Sequence, residues 1–288
     1  MIVITGATGK LGSRIVDQLL RRVPAAEIGV SVREPERAAG LAARGVRVRR
    51  GDFADPSSLA DAFEGAAQVL VVSAGQTGEA GLSRHAAAID AARDAGAKRV
   101  LYSSHQGAAE DSLFAPMLVH AATERRLAAG GMSFTALRNG FYASTVPLLL
   151  GQALQTGELV APADGPVSWT AHDDLAEAAA IILAAEGRFD GPTPPLTAPV
   201  ALDLEDVAGL LGDLAGRTVR RVVADDEEWV AGLIGHGVPE DRAHLLLGMF
   251  HAARRGEFAT AGPELEDLLG RQATPLRDVL RDHYERGV

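Results

Sequence analysis

The first twelve residues, Met-Ile-Val-Ile-Thr-Gly-Ala-Thr-Gly-Lys-Leu-Gly, constrain the fold more than any other stretch of the chain. Residues 1–5 read as a short buried strand, and Gly6, Gly9 and Gly12 punctuate a turn that runs directly into an amphipathic helix. In that helix Leu11, Ile15, Val16, Leu19 and Leu20 recur at helical spacing, with Asp17, Gln18, Arg21 and Arg22 on the other face. A strand, a glycine turn and a helix N-terminus together form a pocket for a phosphate. Glycine lets the backbone approach the ligand, while unpaired N–H groups and the helix dipole supply positive potential. The spacing is Gly-x-x-Gly-x-x-Gly; the stricter Gly-x-Gly-x-x-Gly fingerprint would need glycine where Thr8 stands.

Strand–helix alternation continues from there. Further strands are expected at 28–33, 46–49, 68–73 and 99–103, with helices near 36–43, 59–63 and 82–95. Residues 68–73 are an unbroken apolar run, the pattern of a strand covered on both faces. Short strands joined by helices point to an α/β fold, a Rossmann-type doubly wound parallel sheet with right-handed crossovers. In such sheets ligands lie beyond the C-terminal strand ends, where the strand order reverses. Small, polar or charged residues collect at those ends: 6–12, 31–33, Asp52 and Phe53, Ser73, Ala74 and Gly75, and Ser103, Ser104 and His105.

Further along, a helix is expected at 115–129 and a strand at 134–137, running into Arg138, Asn139, Gly140, Phe141 and Tyr142. A Leu/Ala helix to about 155 and two extended pieces within 159–170 follow, then a helix opened by Asp173 and Asp174 and running to 185. The dinucleotide-binding domain is placed at 1–155, continuing in part through 156–190. Residues 191–288 read as a smaller, mainly helical C-terminal substrate region, with turn residues at 191–195, helices at 202–214, 225–234, 240–254 and 275–283, and one strand at 218–223.

Charge and composition narrow the partners. The net charge is −10, from 28 basic and 38 acidic residues, so no nucleic-acid partner is expected. There is no cysteine, which excludes disulfides, thiolate catalysis and cysteine metal sites. His236, His244 and His251 come without a carboxylate-rich ligand set, so no metal site is expected there. The opening residues carry no basic leader, and Gly, Pro or charge interrupts each apolar run, so no membrane span and a cytoplasmic address are expected.

The second strand ends Gly-Val-Ser-Val-Arg, where an NAD site would place an acidic residue against the ribose diol. Arg33 would instead attract a 2′-phosphate, and Ser31 would leave room and a hydroxyl for it, so NADPH is the expected cofactor. The alternative is that Arg33 points to solvent and Glu34 meets the ribose. Asp52 reads either as an acceptor for the adenine amine, with Phe53 beside the ring, or as the cap of its own turn.

Several motifs together resemble a known family. They are Ile-Thr-Gly-Ala-Thr-Gly-Lys-Leu-Gly at 4–12, Val-Arg-Glu-Pro at 32–35 and Gly-Asp-Phe-Ala-Asp-Pro at 51–56. They continue with His-Ala-Ala-Thr-Glu at 120–124, Leu-Arg-Asn-Gly-Phe-Tyr at 137–142, Asp-Asp-Leu-Ala-Glu-Ala-Ala-Ala at 173–180 and Thr-Pro-Leu-Arg-Asp-Val-Leu at 274–280. The chain thereby resembles the NmrA-like branch of the atypical short-chain dehydrogenase/reductases, most of all its NADPH-dependent quinone oxidoreductases of the bacterial type-2 group. That resemblance implies reduction of quinones without flavin. It places Gly6, Thr8, Gly9, Lys10, Leu11 and Arg33 on the dinucleotide, Ser73, Ala74 and Gly75 beneath its ribose and nicotinamide, and Asn139, Gly140 and Tyr142 near the nicotinamide and acceptor. Ser103 belongs to the serine-rich strand end of the same site. The Tyr-x-x-x-Lys pair of the wider superfamily is missing after the fifth strand; residues 120–124 stand in its place.

His120 is the expected proton donor to a quinone oxygen, with Tyr142 and Asn139 as alternatives. Glu124, one helical turn on, would either orient His120 or be a surface carboxylate. His172 reads as a residue of the helix start, and Trp229, Leu246, Met249 and Phe250 as core or as a lid over the acceptor. Two other functions stay open at this point: a cofactor-sensing regulator of the NmrA type, and a sugar-nucleotide epimerase relative, disfavoured by the missing Tyr-Lys pair. A homodimer is neither required nor excluded by the sequence.

Overall fold

The computed structural model describes residues 1–185 and 187–285. In chain order it begins with β1 (Ile2–Thr5), α1 (Lys10–Leu19), β2 (Ile28–Val32), α2 (Ala39–Ala42), β3 (Arg47–Arg50), α3 (Ser57–Phe63), β4 (Gln68–Val71) and α4 (Gly78–Asp94). β5 (Arg99–His105), α5 (Ala115–Ala129), β6 (Ser133–Asn139), β7 (Phe141–Tyr142), α6 (Val146–Leu149), α7 (Ala153–Thr156) and β8 (Glu158–Pro162) follow. The chain continues through β9 (Trp169–Thr170), α8 (His172–Ala184), β10 (Gly191–Pro192), α9 (Leu204–Ala215) and β11 (Arg220–Ala224). It closes with α10 (Asp226–Gly235), α11 (Glu240–Arg254), α12 (Glu264–Leu269) and α13 (Leu276–Glu285).

The main sheet has the order β3-β2-β1-β4-β5-β6-β10, and every neighbouring pair is parallel. This is the doubly wound sheet expected from the sequence. The order reverses between β1 and β4, which places the ligand crevice at their C-terminal ends. The period of two along each strand divides the side chains between two cores. Ile2, Ile4, Leu70 and Leu101 face α1, α8 and α12, whereas Val3, Val69, Val71, Val100 and Tyr102 face α3, α4 and the Leu127 end of α5. A third core, around Phe141, Trp169, Phe250 and Phe258, joins β7 and β9 to α9, α11 and α13. Two short parallel pairs, β8–β11 and β7–β9, lie outside the main sheet.

Some elements differ from expectation, each for a local reason. Residues 36–43 form a short 3₁₀ turn and the single turn α2 rather than one helix. The helix expected as far as 155 is broken into α6 and α7, because Gly151 between them adopts a left-handed conformation, φ +51°. α4 starts at Gly78, earlier than the first apolar repeat. α12 is too short to give a periodic pattern.

Residues 191–192, expected as a plain turn, form β10 at the edge of the main sheet, beside Thr135 and Ala136. The paired carboxylates at the start of α8 have separate uses. Asp173 pairs with Arg14 of α1 at 2.7 Å. Asp174, only 1% exposed, accepts from the Thr274 N–H at 2.6 Å and the Thr274 hydroxyl at 3.1 Å, and pairs with Arg271 at 2.8 Å. The chain end before α13 is thereby fastened to α8.

Candidate active site

Each glycine of the first turn has its own physical reason. Gly6 takes a left-handed conformation, φ +62°, that other residues rarely adopt. A Cβ on Gly9 would stand 3.2 Å from the Gly6 carbonyl oxygen. One on Gly12 would stand 2.3 Å from the same oxygen, which already accepts the Gly9 N–H at 2.9 Å. Among the described residues no side chain caps α1, whose N-cap is Gly9, so its first amides are available to an anion. Gly12→Ala is therefore expected to push helix and turn apart. A roughly tenfold weaker dinucleotide Kd, with a loss of about 1–3 kcal/mol in stability, follows from the overlap. Isothermal titration and urea unfolding measure the two effects.

At the crevice this turn borders a cavity of about 440 Å³. Thr8, Gly9, Ser31, Arg33, Asp52, Phe53, Ser73, Ala74 and Gly75 line it together with Arg37, Gln76 and Arg84, which the sequence reading did not single out. Arg84 is one residue from His85 on a helix without a motif, so only the fold brings it to the crevice. The cavity fits a phosphorylated dinucleotide. The Ser31 hydroxyl is buried there without a partner among the described residues, and a Cβ on Gly51 would come within 2.1 Å of it. Glu34 does not line the cavity; it pairs with Arg37 at 3.5 Å. Asp52 caps its own turn through Oδ1, which accepts the Ala54 N–H at 2.9 Å.

A second cavity, about 390 Å³, adjoins the first and shares with it the strip 73–76 and Val72. Lys10, Leu11, His85, Pro116, Val119, His120, Tyr142, Ser144 and His172 complete its wall. The strip continues β4 past the end of its ladder, and side chains replace the missing strand partner. The Val72 N–H donates to Thr5 Oγ1 at 2.9 Å, the Ser73 N–H to Ser103 Oγ at 2.8 Å, and the Ala74 N–H to His85 Nε2 at 2.9 Å. Three successive amides are thus tied to β1, β5 and α4, which fixes the floor common to both cavities.

Ser103, Asn139 and Gly140 line neither cavity. Ser103 supports the strip from behind. Asn139 is 2% exposed, with a side-chain oxygen that has no partner among the described residues. Gly140 lets β6 pass Thr170, whose Oγ1 would lie 2.1 Å from a Cβ there. Tyr142 does reach the second cavity, where its ring lies 4.3 Å from that of His172. His172 opens α8 and also borders this cavity. Burial pushes its pKa down to about 4, with Arg14 and Lys10 acting in the same direction.

His120 also reaches the cavity, but not as a group poised between charge states at neutral pH. Burial, with His105 and His85 close by, holds its pKa well below the ordinary imidazole range. Glu124 does not orient it, nor is it a surface group. Its buried carboxylate accepts the Ser104 hydroxyl at 2.6 Å and grips Arg138 through both oxygens at 3.1 and 2.7 Å. Met249 and Phe250 are buried in the third core, with Trp229 edge-on to Phe250, and among the described residues none beyond His172 lines the second cavity. His251 pairs with Asp226 at 3.1 Å.

Comparison with known proteins agrees with this geometry. The family model described as NAD(P)H-binding matches residues 6–185. Quinone oxidoreductase 2 of Escherichia coli is 32% identical over 96% of each chain. A crystal structure of the NADPH-dependent quinone oxidoreductase from that organism, complexed with NADPH, superposes with a TM-score of 0.92 at 31% identity, covering 99% of this chain and 100% of that one. An NAD(P)H azoreductase of Xenophilus azovorans is 30% identical over 98% of each chain. The triphenylmethane reductase of Citrobacter sp., complexed with NADP(H), superposes with a TM-score of 0.90 at 32% identity over 98% of this chain and 99% of that one. The matched segment begins at the first glycine of the phosphate turn and ends just after α8, so fold, cradle and likeness coincide: the chain belongs to the NAD(P)H-binding family.

Proposed function

We propose that the protein is an NADPH-dependent reductase of quinones or similar small aromatic acceptors, working by direct hydride transfer without flavin. It is an oxidoreductase of its family; the acceptor class is the step proposed. The observation that carries the reading is the strip 73–76, which floors both cavities. A dinucleotide held by the glycine turn and by Arg33 would run along that floor and bring its nicotinamide to the cavity of His120, Tyr142 and His172. Bound NADPH supplies a hydride from its nicotinamide ring.

The protein's share is to hold an acceptor against that ring and to stabilise the charge that grows on it. Tyr142 and His172 offer an aromatic wall, and Leu11, Pro116 and Val119 an apolar one, against which a flat acceptor can lie. His120, kept neutral by burial, acts as a hydrogen-bond donor to the developing oxyanion rather than as a cationic acid. The relatives named for quinone, azo and triphenylmethane substrates support flat, conjugated acceptors as the class.

The test is NADPH oxidation screened over benzoquinones, naphthoquinones, aldehydes and azo dyes, beside binding titrations of the cofactor. Quinone-selective turnover supports the reading. Tight cofactor binding with no oxidation by any acceptor sinks it and favours a regulator of the NmrA type. In His120→Ala, kcat for the best quinone is expected to fall about a hundredfold, the worth of one oriented donor, while NADPH affinity stays as it is. Unchanged turnover would remove His120 from the mechanism.

A further inference from the structure

At the wall of the second cavity lies a buried polar cluster that the reaction does not itself call on: His85 of α4, which borders the cavity, with Tyr102 of β5 and Thr123 of α5 behind it. The three meet because even-numbered residues of β5 face α4 and α5 (Tyr102 fully buried among them), and because His120 and Thr123 are three apart on one helix. His85 and Thr123 are each 1% exposed.

The protons in this cluster can be placed one after another, starting from a donor that cannot change. The Ala74 amide is a backbone N–H, so His85 Nε2, 2.9 Å away, must accept. Neutral imidazole carries one hydrogen, which in His85 then sits on Nδ1. That nitrogen is 3.0 Å from Thr123 Oγ1, whose own hydrogen goes to the Val119 carbonyl at 2.8 Å. The Tyr102 hydroxyl lies 3.4 Å from the protonated His85 Nδ1 and 2.8 Å from His120 Nδ1. Thr123 also reaches the Tyr102 hydroxyl, but its oxygen already takes the His85 hydrogen and its own hydrogen goes to Val119, so the Tyr102 hydrogen is assigned to the shorter contact, His120. With the Tyr102 hydrogen on that contact, His120 Nδ1 accepts and its Nε2 carries the hydrogen.

We infer that His85 and Tyr102 are positioning residues that set the tautomer of His120, so that its Nε2–H is the hydrogen available to an acceptor in the cavity. One backbone amide of the cofactor floor thereby decides, through two side chains, which nitrogen of His120 can donate. The inference rests on the proposed role of His120 for its value to the reaction, but not for its own truth, since the tautomer exists without any acceptor. Burial supports the chain of assignments by disfavouring the imidazolium form of both histidines.

The decisive measurement is a two-bond ¹H–¹⁵N correlation spectrum of histidine-labelled protein, with the His120 signals identified by their loss in His120→Ala. The Nε2–H tautomer is expected at neutral pH in the resting protein. An Nδ1–H tautomer overturns the inference, whatever the kinetics show. In Tyr102→Phe the His120 ring loses its fixed partner, so both tautomers should appear and kcat should fall about threefold to tenfold with the KM for NADPH unchanged.

His85→Leu, which cannot accept from Ala74, is expected to do the same and also to weaken NADPH binding. His85→Gln, which can accept from Ala74 and donate to Thr123, is expected to restore the tautomer and most of the rate. If His120 stays purely Nε2–H in both Tyr102→Phe and His85→Leu, the two residues do not set it and the inference fails. An Nε2–H His120 in a protein that reduces no acceptor upholds the inference and sinks the proposed reaction.

Discussion

Urea unfolding followed against pH is expected to lose roughly 5 kcal/mol of stability between about pH 6.5 and about pH 4.5. The cause is a pair of buried, neutral imidazoles. His85, 1% exposed, has its pKa pushed down to about 4 by burial, and His105, 8% exposed, to about 3. In the unfolded chain an imidazole titrates near about 6.5. Across this window the unfolded state takes up protons that the folded state refuses, so stability falls as the pH falls.

Above about pH 7 both states are neutral at these positions and the two residues contribute nothing to the slope. His120 and His172, whose pKa values are also depressed, act in the same direction. The depressed carboxylates Asp226, Asp55 and Glu177 lose their contribution mainly at lower pH, from about 5 downward, as unfolded carboxyls protonate at about 4. The window therefore belongs to the histidines. For a domain of ordinary stability, about 5–15 kcal/mol, the loss is enough to threaten folding near about pH 4.5. Replacing either His85 or His105 by glutamine should remove about half of the part of the slope that these two supply. A flat stability profile across the window would show that these rings are protonated in the fold.

The dependence of those histidines on their surroundings also marks how far the sequence could be read. β1, its glycine turn and α1 were legible because a short buried strand, a glycine spacing and a 3.6-residue period are local signals. The crevice at the strand ends followed from them, since each strand end is fixed once the sheet order is known. His85 was not legible. It sits within an Ala-rich helix as an ordinary residue, and its role appears only when α4 is laid beside the end of β4. Tyr102 likewise looks like any aromatic in a buried strand until the period of two turns it towards α4 and α5.

Glu124 misled for a related reason. Helical spacing places it one turn from His120, but the partner it finds, Arg138, comes from β6 by a tertiary contact that spacing on one helix cannot reveal. β10 was missed because two residues at a sheet edge carry no period at all. What sequence pattern conveys here is the scaffold and the ligand edge. The hydrogen-bond wiring that tunes the edge is set by packing between elements distant in the chain.

Arg33→Ala is expected to weaken NADPH binding about a hundredfold while leaving NADH within about threefold, and so to remove the preference for the phosphorylated cofactor. Arg33 lines the end of the crevice beyond β2, and its guanidinium has no hydrogen bond or ion pair among the described residues, so nothing must be broken before it meets a phosphate. Ser31, with its unpartnered buried hydroxyl, stands two residues earlier on the same strand end and borders the same cavity. A charge-assisted contact to a doubly charged group is worth about 1.5–3 kcal/mol, which sets the scale of the loss. Because Arg33 is exposed, the loss should shrink as salt is raised. Arg37 borders the same end but is already paired with Glu34, so Arg37→Ala should cost less, and Glu34→Gln should tighten NADPH slightly by freeing it. Titrations of both cofactors against the three variants measure these effects together. Equal losses for NADPH and NADH in Arg33→Ala would mean that the guanidinium does not meet the 2′-phosphate, and the specificity would then have to be sought at Arg84 across the crevice.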